Sequence, residues 1–168
     1  MHQAYLLFGS NLDDRESHIN HGLDKLRLNN IKILKASSIY ETSPWGVINQ
    51  PDYLNVAVKI ATNLSSVELF GIVKEFEREE GRINLQKYAP RELDIDILFY
   101  DEIIFENNEL IIPHPKIQLR KFTLIPMNEI ASAYVHPVLK KSIKNLLLEC
   151  EDIGTVRLYK PVSAENKR

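Results

Sequence analysis

Lys87-Tyr88-Ala89-Pro90-Arg91-Glu92-Leu93-Asp94-Ile95-Asp96-Ile97-Leu98-Phe99-Tyr100 joins a charged, proline-stiffened approach to an apolar run. In the second half, Leu93, Ile95, Ile97 and Phe99 alternate with Asp94, Asp96, Leu98 and Tyr100, which is the period of a strand. Alternation puts both aspartates on one face, with Cα atoms roughly 6–7 Å apart at about 3.3 Å per residue. Carboxylates so spaced can share a pair of hard cations, which sit about 3.5–4 Å apart in two-metal sites. Left alone, two like charges on one strand face repel, so a positive partner is expected beside them. A solvated strand face satisfies Asp-x-Asp equally well. The neighbours tip the reading: Pro90 stiffens the approach, and Arg91 brings a planar cation suited to a phosphate ligand.

Upstream, residues 41–52 carry two prolines and a glycine and read as a long loop, a common place for function. The chain's one tryptophan, Trp45, lies in this loop and suits a ligand contact as well as a core plug. Residues 53–61 return to strand. Leu54, Val56, Val58 and Ile60 take the core face, which throws Tyr53 and Asn55 together on the other. An aromatic plane beside an amide offers a flat heterocycle both stacking surface and paired hydrogen bonds.

Pro90-Arg91-x-x-Asp94-x-Asp96-Ile97-Leu98 resembles the signature of the 6-hydroxymethyl-7,8-dihydropterin pyrophosphokinase family of folate biosynthesis. Glu41, Thr42, Pro44, Gly46, Gln50, Pro51, Tyr53 and Asn55 resemble that family's pterin-pocket block, and Gly9-Ser10-Asn11-Leu12 its N-terminal block. The resemblance covers roughly residues 4–150. It implies an α+β, ferredoxin-like sandwich with a mainly antiparallel sheet. It also implies transfer of pyrophosphate from ATP, the co-substrate, to the hydroxymethyl group of 6-hydroxymethyl-7,8-dihydropterin, with release of AMP. Asp94 and Asp96 would hold two Mg²⁺ ions, and Arg82 and Arg91 would join them in catalysis. ATP would meet Glu77, Arg82, Lys87, Arg91, Ile97, His114 and Arg120. The pterin would lie among Thr42, Ser43, Trp45, Tyr53, Asn55 and Phe122. The chain departs from the family in one loop. Where many relatives read Arg-Trp-Gly-Pro-Arg, it has Lys87-Tyr88-Ala89-Pro90-Arg91, which keeps the charge without the bidentate fork and offers a smaller aromatic face.

The remaining chain reads as ordinary secondary structure. Residues 3–8 form a buried strand, and Asp13 or Asp14 caps a helix with Ile19, Leu23 and Leu26 on one face, stopped by Asn29-Asn30. His18 and His21 stand three apart on this helix, a spacing that can bind metal. With no third ligand nearby in sequence they read as surface residues. Residues 31–40 form a second strand. Ser65-x-x-Glu68 is a capping box for a helix burying Leu69, Val73 and Phe76, and Gly81 ends it. Arg82, Lys87 and Arg91 are spread along the next loop, where spaced cations can close over a polyphosphate. Residues 103–105 and 110–112 pair as a hairpin. A helix follows over 123–131 with Pro126 in its first turn, then a turn at His136-Pro137, a helix opened by Ser142 and a strand over 156–159.

At 168 residues, with 44% hydrophobic and 26% charged residues, the chain reads as one globular domain over 1–160 with a frayed tail over 161–168. A net charge of −2 argues against a nucleic-acid or membrane partner. The single Cys150 fits a reducing compartment, and no signal peptide is legible, so a cytoplasmic monomer is expected. No repeats or linker suggest a fused second folate enzyme. Two other classes stay open: another two-metal phosphoryl or nucleotidyl transferase using the same aspartates, and a non-catalytic ligand- or RNA-binding module on a ferredoxin-like sheet. The pterin block argues against the first, and the aspartate pair against the second.

Overall fold

A computed structural model describes residues 1–81 and 88–163. Arg82 and Lys87, both expected at ATP, and the end of the expected tail lie outside the described residues. In chain order the elements are β1 (His2–Ser10), α1 (Arg15–Leu28), β2 (Lys32–Ala36), β3 (Ile39–Thr42), β4 (Tyr53–Thr62), α2 (Ser66–Glu79), β5 (Asp94–Tyr100), β6 (Phe105–Glu106), β7 (Ile111–Ile112), α3 (Lys121–Ala131), α4 (Ile143–Glu149) and β8 (Val156–Lys160). The sheet runs β5-β1-β4-β3-β8 with β2 also on β4, and its pairings are antiparallel. The order β5-β1-β4-β3, with helices bridging β1 to β2 and β4 to β5, is the ferredoxin-like arrangement.

The helix ends follow local chemistry. Asp14 Oδ1 accepts the Ser17 N–H at 3.1 Å to open α1. Ser65 and Glu68 close their capping box on α2, and Gly81, at φ +104°, supplies the left-handed residue that ends it. Both faces of the sheet are covered. Leu6, Phe8 and Ile95 pack under Ile19, Leu26, Leu69, Val73 and Phe76 of α1 and α2. Tyr5, Leu7, Leu98 and Phe99 pack under Leu124, Met127 and Ile130 of α3 and Ile143 and Leu146 of α4. Central β1 is therefore buried continuously from Ala4 to Ser10.

Three expectations need correction. Phe99 does not share a face with Leu93, Ile95 and Ile97. The β1–β5 register steps from Leu6↔Ile97 to Tyr5↔Phe99, leaving Leu98 as an extra residue in a bulge. Downstream of it the phase reverses, so Tyr100 joins the layer under α1 and α2 while Phe99 joins the other. The strand over 31–40 is divided into β2 and β3. Ser37 Oγ, in place of a backbone carbonyl, accepts the Ala57 N–H at 2.9 Å, and Glu129 holds both the N–H and the hydroxyl of Ser38. Helix α3 starts earlier than expected, so Pro126 falls in its second turn and leaves the Phe122 carbonyl without its i+4 donor. Among the described residues, no helix is long and apolar enough to cross a membrane.

Candidate active site

The site grows from one row across three strands. Gly9 of β1 pairs with Asn55 of β4 on one side and Asp94 of β5 on the other. A side chain at position 9 would put its Cβ 2.8 Å from Asn55 Oδ1, so glycine lets the amide approach the floor. Asn55 is buried, and its Nδ2 donates to Thr42 Oγ1 at 2.7 Å, which fixes the amide's orientation. Two residues along, Leu7 pairs with Asp96, so the carboxylates stand on the same face as Asn55.

Above this floor lies a cavity of about 350 Å³. All six residues expected around a heterocycle line it: Thr42, Ser43, Trp45, Tyr53, Asn55 and Phe122. So do Arg91, Asp94, Asp96, His114 and Arg120 from the expected metal and phosphate sets. A second cavity, about 260 Å³, opens between Phe70, Lys74, Ile97 and Leu110, and both cavities share Asp96, His114 and Pro115. Ile97 belongs to this second space. Glu77 lines neither cavity. It lies behind β5, 1% exposed, where Oε1 accepts the Ile95 N–H at 2.8 Å and the Lys74 ammonium at 2.9 Å. The peptide between the two aspartates is thus pinned from behind.

Charge in the cleft is unevenly compensated. Arg91 Nη1 donates to Asp94 Oδ1 at 2.6 Å; burial works against its charge, and Asp94 outweighs burial and raises its pKa. Burial, then the neighbouring Asp94 charge, pushes Asp96 up to about 7, against the pull of Lys74 and Arg120. His114 is held by its N–H on the Leu98 carbonyl at 2.9 Å, and its Nδ1 accepts the Lys116 N–H at 3.2 Å. Burial, with Arg120 and nearby lysines, lowers its pKa to about 4 against the opposing pull of Asp94. The neutral ring therefore carries its proton on Nε2, which faces Asp96 Oδ2 at 3.9 Å. Arg120 stacks its guanidinium 4.6 Å from the Trp45 ring and 5.4 Å from Phe122. Among the described residues, the buried Nε atoms of Arg91 and Arg120 have no hydrogen-bond acceptor, which suits an anionic ligand.

Several residues outside the expected site set support it. Asn11 accepts the Arg91 N–H at 2.8 Å and donates its own N–H to the Arg91 carbonyl at 3.0 Å. Its Nδ2 reaches Gln50 and the Pro51 carbonyl, so one residue ties the 43–52 loop to the approach of β5. Gln50 in turn donates to the Tyr88 carbonyl. Lys116 donates to Tyr88 Oη at 2.8 Å and lies 5.4 Å from the Trp45 ring. The turn at Gly9-Ser10-Asn11 marks Asn11 in sequence. Nothing in the spacing marks Lys74 or Lys116.

A family model described as 7,8-dihydro-6-hydroxymethylpterin-pyrophosphokinase (HPPK) matches residues 5–132. Proteins named 2-amino-4-hydroxy-6-hydroxymethyldihydropteridine pyrophosphokinase are similar over most of the chain. The Aquifex aeolicus protein is 39% identical over 144 residues, 86% of this chain and 89% of that one. The Haemophilus influenzae protein is 38% identical over 135 residues, 80% and 84% of the respective chains. The fold is similar to that of a crystallised HPPK-DHPS in complex with substrates, at a TM-score of 0.69 and 17% identity over 88% of this chain and 43% of that one. A Plasmodium falciparum HPPK-DHPS with pteroate also gives a TM-score of 0.69, at 17% identity over 88% of this chain and 42% of that one.

Proposed function

The chain belongs to the 7,8-dihydro-6-hydroxymethylpterin-pyrophosphokinase family, which transfers a pyrophosphoryl group from ATP to a pterin in folate biosynthesis, and we propose that the β1–β4–β5 cleft carries out that transfer. The observation that carries the assignment is the meeting of the two cavities at Asp96 and His114. The larger takes the pterin, with the Asn55 amide reading the ring edge and Tyr53, Trp45 and Phe122 offering stacking faces. The smaller takes the nucleotide, with its triphosphate reaching over β5.

Asp94 and Asp96 form a hard-oxygen donor set that fits divalent cations, and burial together with the Asp94 charge raises the proton affinity of Asp96, as expected where two carboxylates share one face. These two residues would hold two Mg²⁺ ions, which when bound neutralise phosphate charge and lower the pKa of the attacking hydroxyl. The hydroxymethyl oxygen bonds to the β-phosphorus as the bond to the α–β bridging oxygen breaks. AMP leaves with that oxygen, and the hydroxyl proton passes to solvent. Arg91 and Arg120 offer their Nε–H groups, without an acceptor among the described residues, to phosphate oxygens, and His114 offers Nε2–H, so charge on the transferring group meets fixed donors. Arg82 and Lys87 add cations from the same approach. Glu77 acts on the nucleotide through Lys74 and the Ile95 peptide. Stacking and the Asn55 amide hold the pterin in line, supplying the orientation on which such transfers depend.

Product analysis with ATP, Mg²⁺ and 6-hydroxymethyl-7,8-dihydropterin tests this reading. AMP and the pterin diphosphate are expected, with turnover abolished in Asp94→Asn and Asp96→Asn; ADP as product would overturn the assigned phosphorus. The protein is further read as a single-domain cytoplasmic monomer without a nucleic-acid partner, supported by its one cysteine and net charge of −2. Sedimentation as a dimer at micromolar concentration would contradict the first part, and retention on heparin at physiological salt the last.

A further inference from the structure

On the α1–α2 side of the sheet, two helices bring together a donor set that the transfer reaction does not use. His18 and His21 stand one turn apart on α1, and Glu80, the residue that closes α2, reaches between them. Glu80 Oε2 lies 2.7 Å from His18 Nδ1 and 3.3 Å from His21 Nδ1. The ligand atoms of all three residues lie within 4.8 Å of one another. Lys25, farther along α1, approaches the other oxygen, with Nζ 3.5 Å from Glu80 Oε1 and 2.7 Å from Glu79 Oε2. Oε1 therefore serves the lysine, and Oε2 is left to two imidazole nitrogens converging on one point.

We propose that His18, His21 and Glu80 form a binding site for a transition-metal dication of the zinc class, tying α1 to the end of α2. Two imidazole nitrogens and one carboxylate oxygen are a ligand set Zn²⁺ accepts at about 2.0–2.2 Å, with water completing the tetrahedron. Nitrogen donors also separate this site from the all-oxygen aspartate pair, which suits harder cations. Binding needs only a small separation of the three side chains. Each ring moves its Nδ1 proton to Nε2, so no net charge is lost, and His21 Nε2 then faces Ser17 Oγ at 3.5 Å, the outer-shell partner that fixes such a tautomer. His18 and Glu80 are largely enclosed, while the His21 side chain is 58% exposed and gives the ion a way in.

The same groups also make a His–Glu–His hydrogen-bonded clamp without any ion, so the test must separate the two states. The full chain is stripped with chelator and titrated with Zn²⁺ against a chromophoric competitor, then with Co²⁺ by visible absorption. Wild type and Asp96→Asn are expected to bind one tight equivalent alike. His21→Ala, a change at an exposed side chain whose folding is checked by circular dichroism, and Glu80→Gln are each expected to bind at least tenfold more weakly. The four-coordinate Co²⁺ bands should vanish in both. Equal affinity in wild type and His21→Ala, or no uptake by wild type, would reduce the cluster to the clamp and overturn the proposal. Loss of the tight equivalent in Asp96→Asn would overturn it too, because the ion would then sit at the aspartate pair.

Discussion

A methyl group added at Gly9 would place its carbon 2.8 Å from Asn55 Oδ1, so Gly9→Ala must push the amide away from Thr42. Pterin binding is expected to weaken roughly tenfold, the value of one or two misplaced hydrogen bonds, while ATP binding stays within about twofold. Calorimetric titration of each ligand separately checks this, and equal losses for both would mean that the strand itself had moved. Glu77 makes a different kind of prediction. Glu77→Ala strands the buried Ile95 N–H and is expected to cost about 1–3 kcal/mol in urea unfolding, with Glu77→Gln losing less because an acceptor remains. Unchanged stability with weakened ATP binding would instead make Glu77 a direct nucleotide contact. Sequence revealed Tyr53, Asn55, Asp94 and Asp96 because each sits on the polar phase of an alternating strand. Asn11 and Lys116 act through partners tens of residues away or on another loop, and local pattern carries no trace of such contacts.

Between α3 and α4 the chain turns at His136, whose buried Nδ1 accepts the N–H groups of Val138 and Leu139 at 3.2 and 3.1 Å. Burial lowers its pKa below 6.5, so the folded element favours the neutral ring. The sign follows from linkage: the unfolded chain takes up a proton before the folded one does, and stability present above 6.5 is lost as pH falls. Asp96, whose raised pKa adds stability as pH falls, and His114, whose lowered pKa removes it, act over the same range, so the His136 effect is read by difference. Between pH 7 and pH 5 the urea midpoint of wild type is expected to fall relative to that of His136→Gln, and parallel profiles for the two proteins would refute this. Helix and turn chemistry at this scale was largely legible: the Asp14 cap, the Ser65–Glu68 box and Gly81 stand where their types demanded. Interruptions were not. Ser37 replaces a ladder carbonyl with its hydroxyl, and serine occurs in strands too often for that substitution to be announced. The early start of α3 escaped because Arg120 offers no side-chain cap to mark it.

For the molecule as a whole, the decisive arrangement is one sheet shared by two apolar layers. Leu6 and Leu7 are adjacent on β1 yet belong to opposite layers, and both are buried. Leu6→Ala and Leu7→Ala are each expected to cost about 2–5 kcal/mol, and calorimetry should still show a single transition because both layers share β1. Two resolved peaks would mean that the layers melt separately. Composition and strand order made an α+β sheet readable, whereas the allotment of Phe99 and Tyr100 to the two layers depends on a bulge that an unbroken apolar run conceals. That bulge means β5 carries one residue more than its ladder with β1 consumes. Because Tyr5 already faces Phe99 and Ala4 faces Tyr100, losing Leu98 would straighten the strand and leave both aromatics in the layers they occupy. Divergence should therefore tolerate a one-residue deletion at position 98 far better than loss of Ile95, which would throw Asp94 and Asp96 onto opposite faces of the sheet.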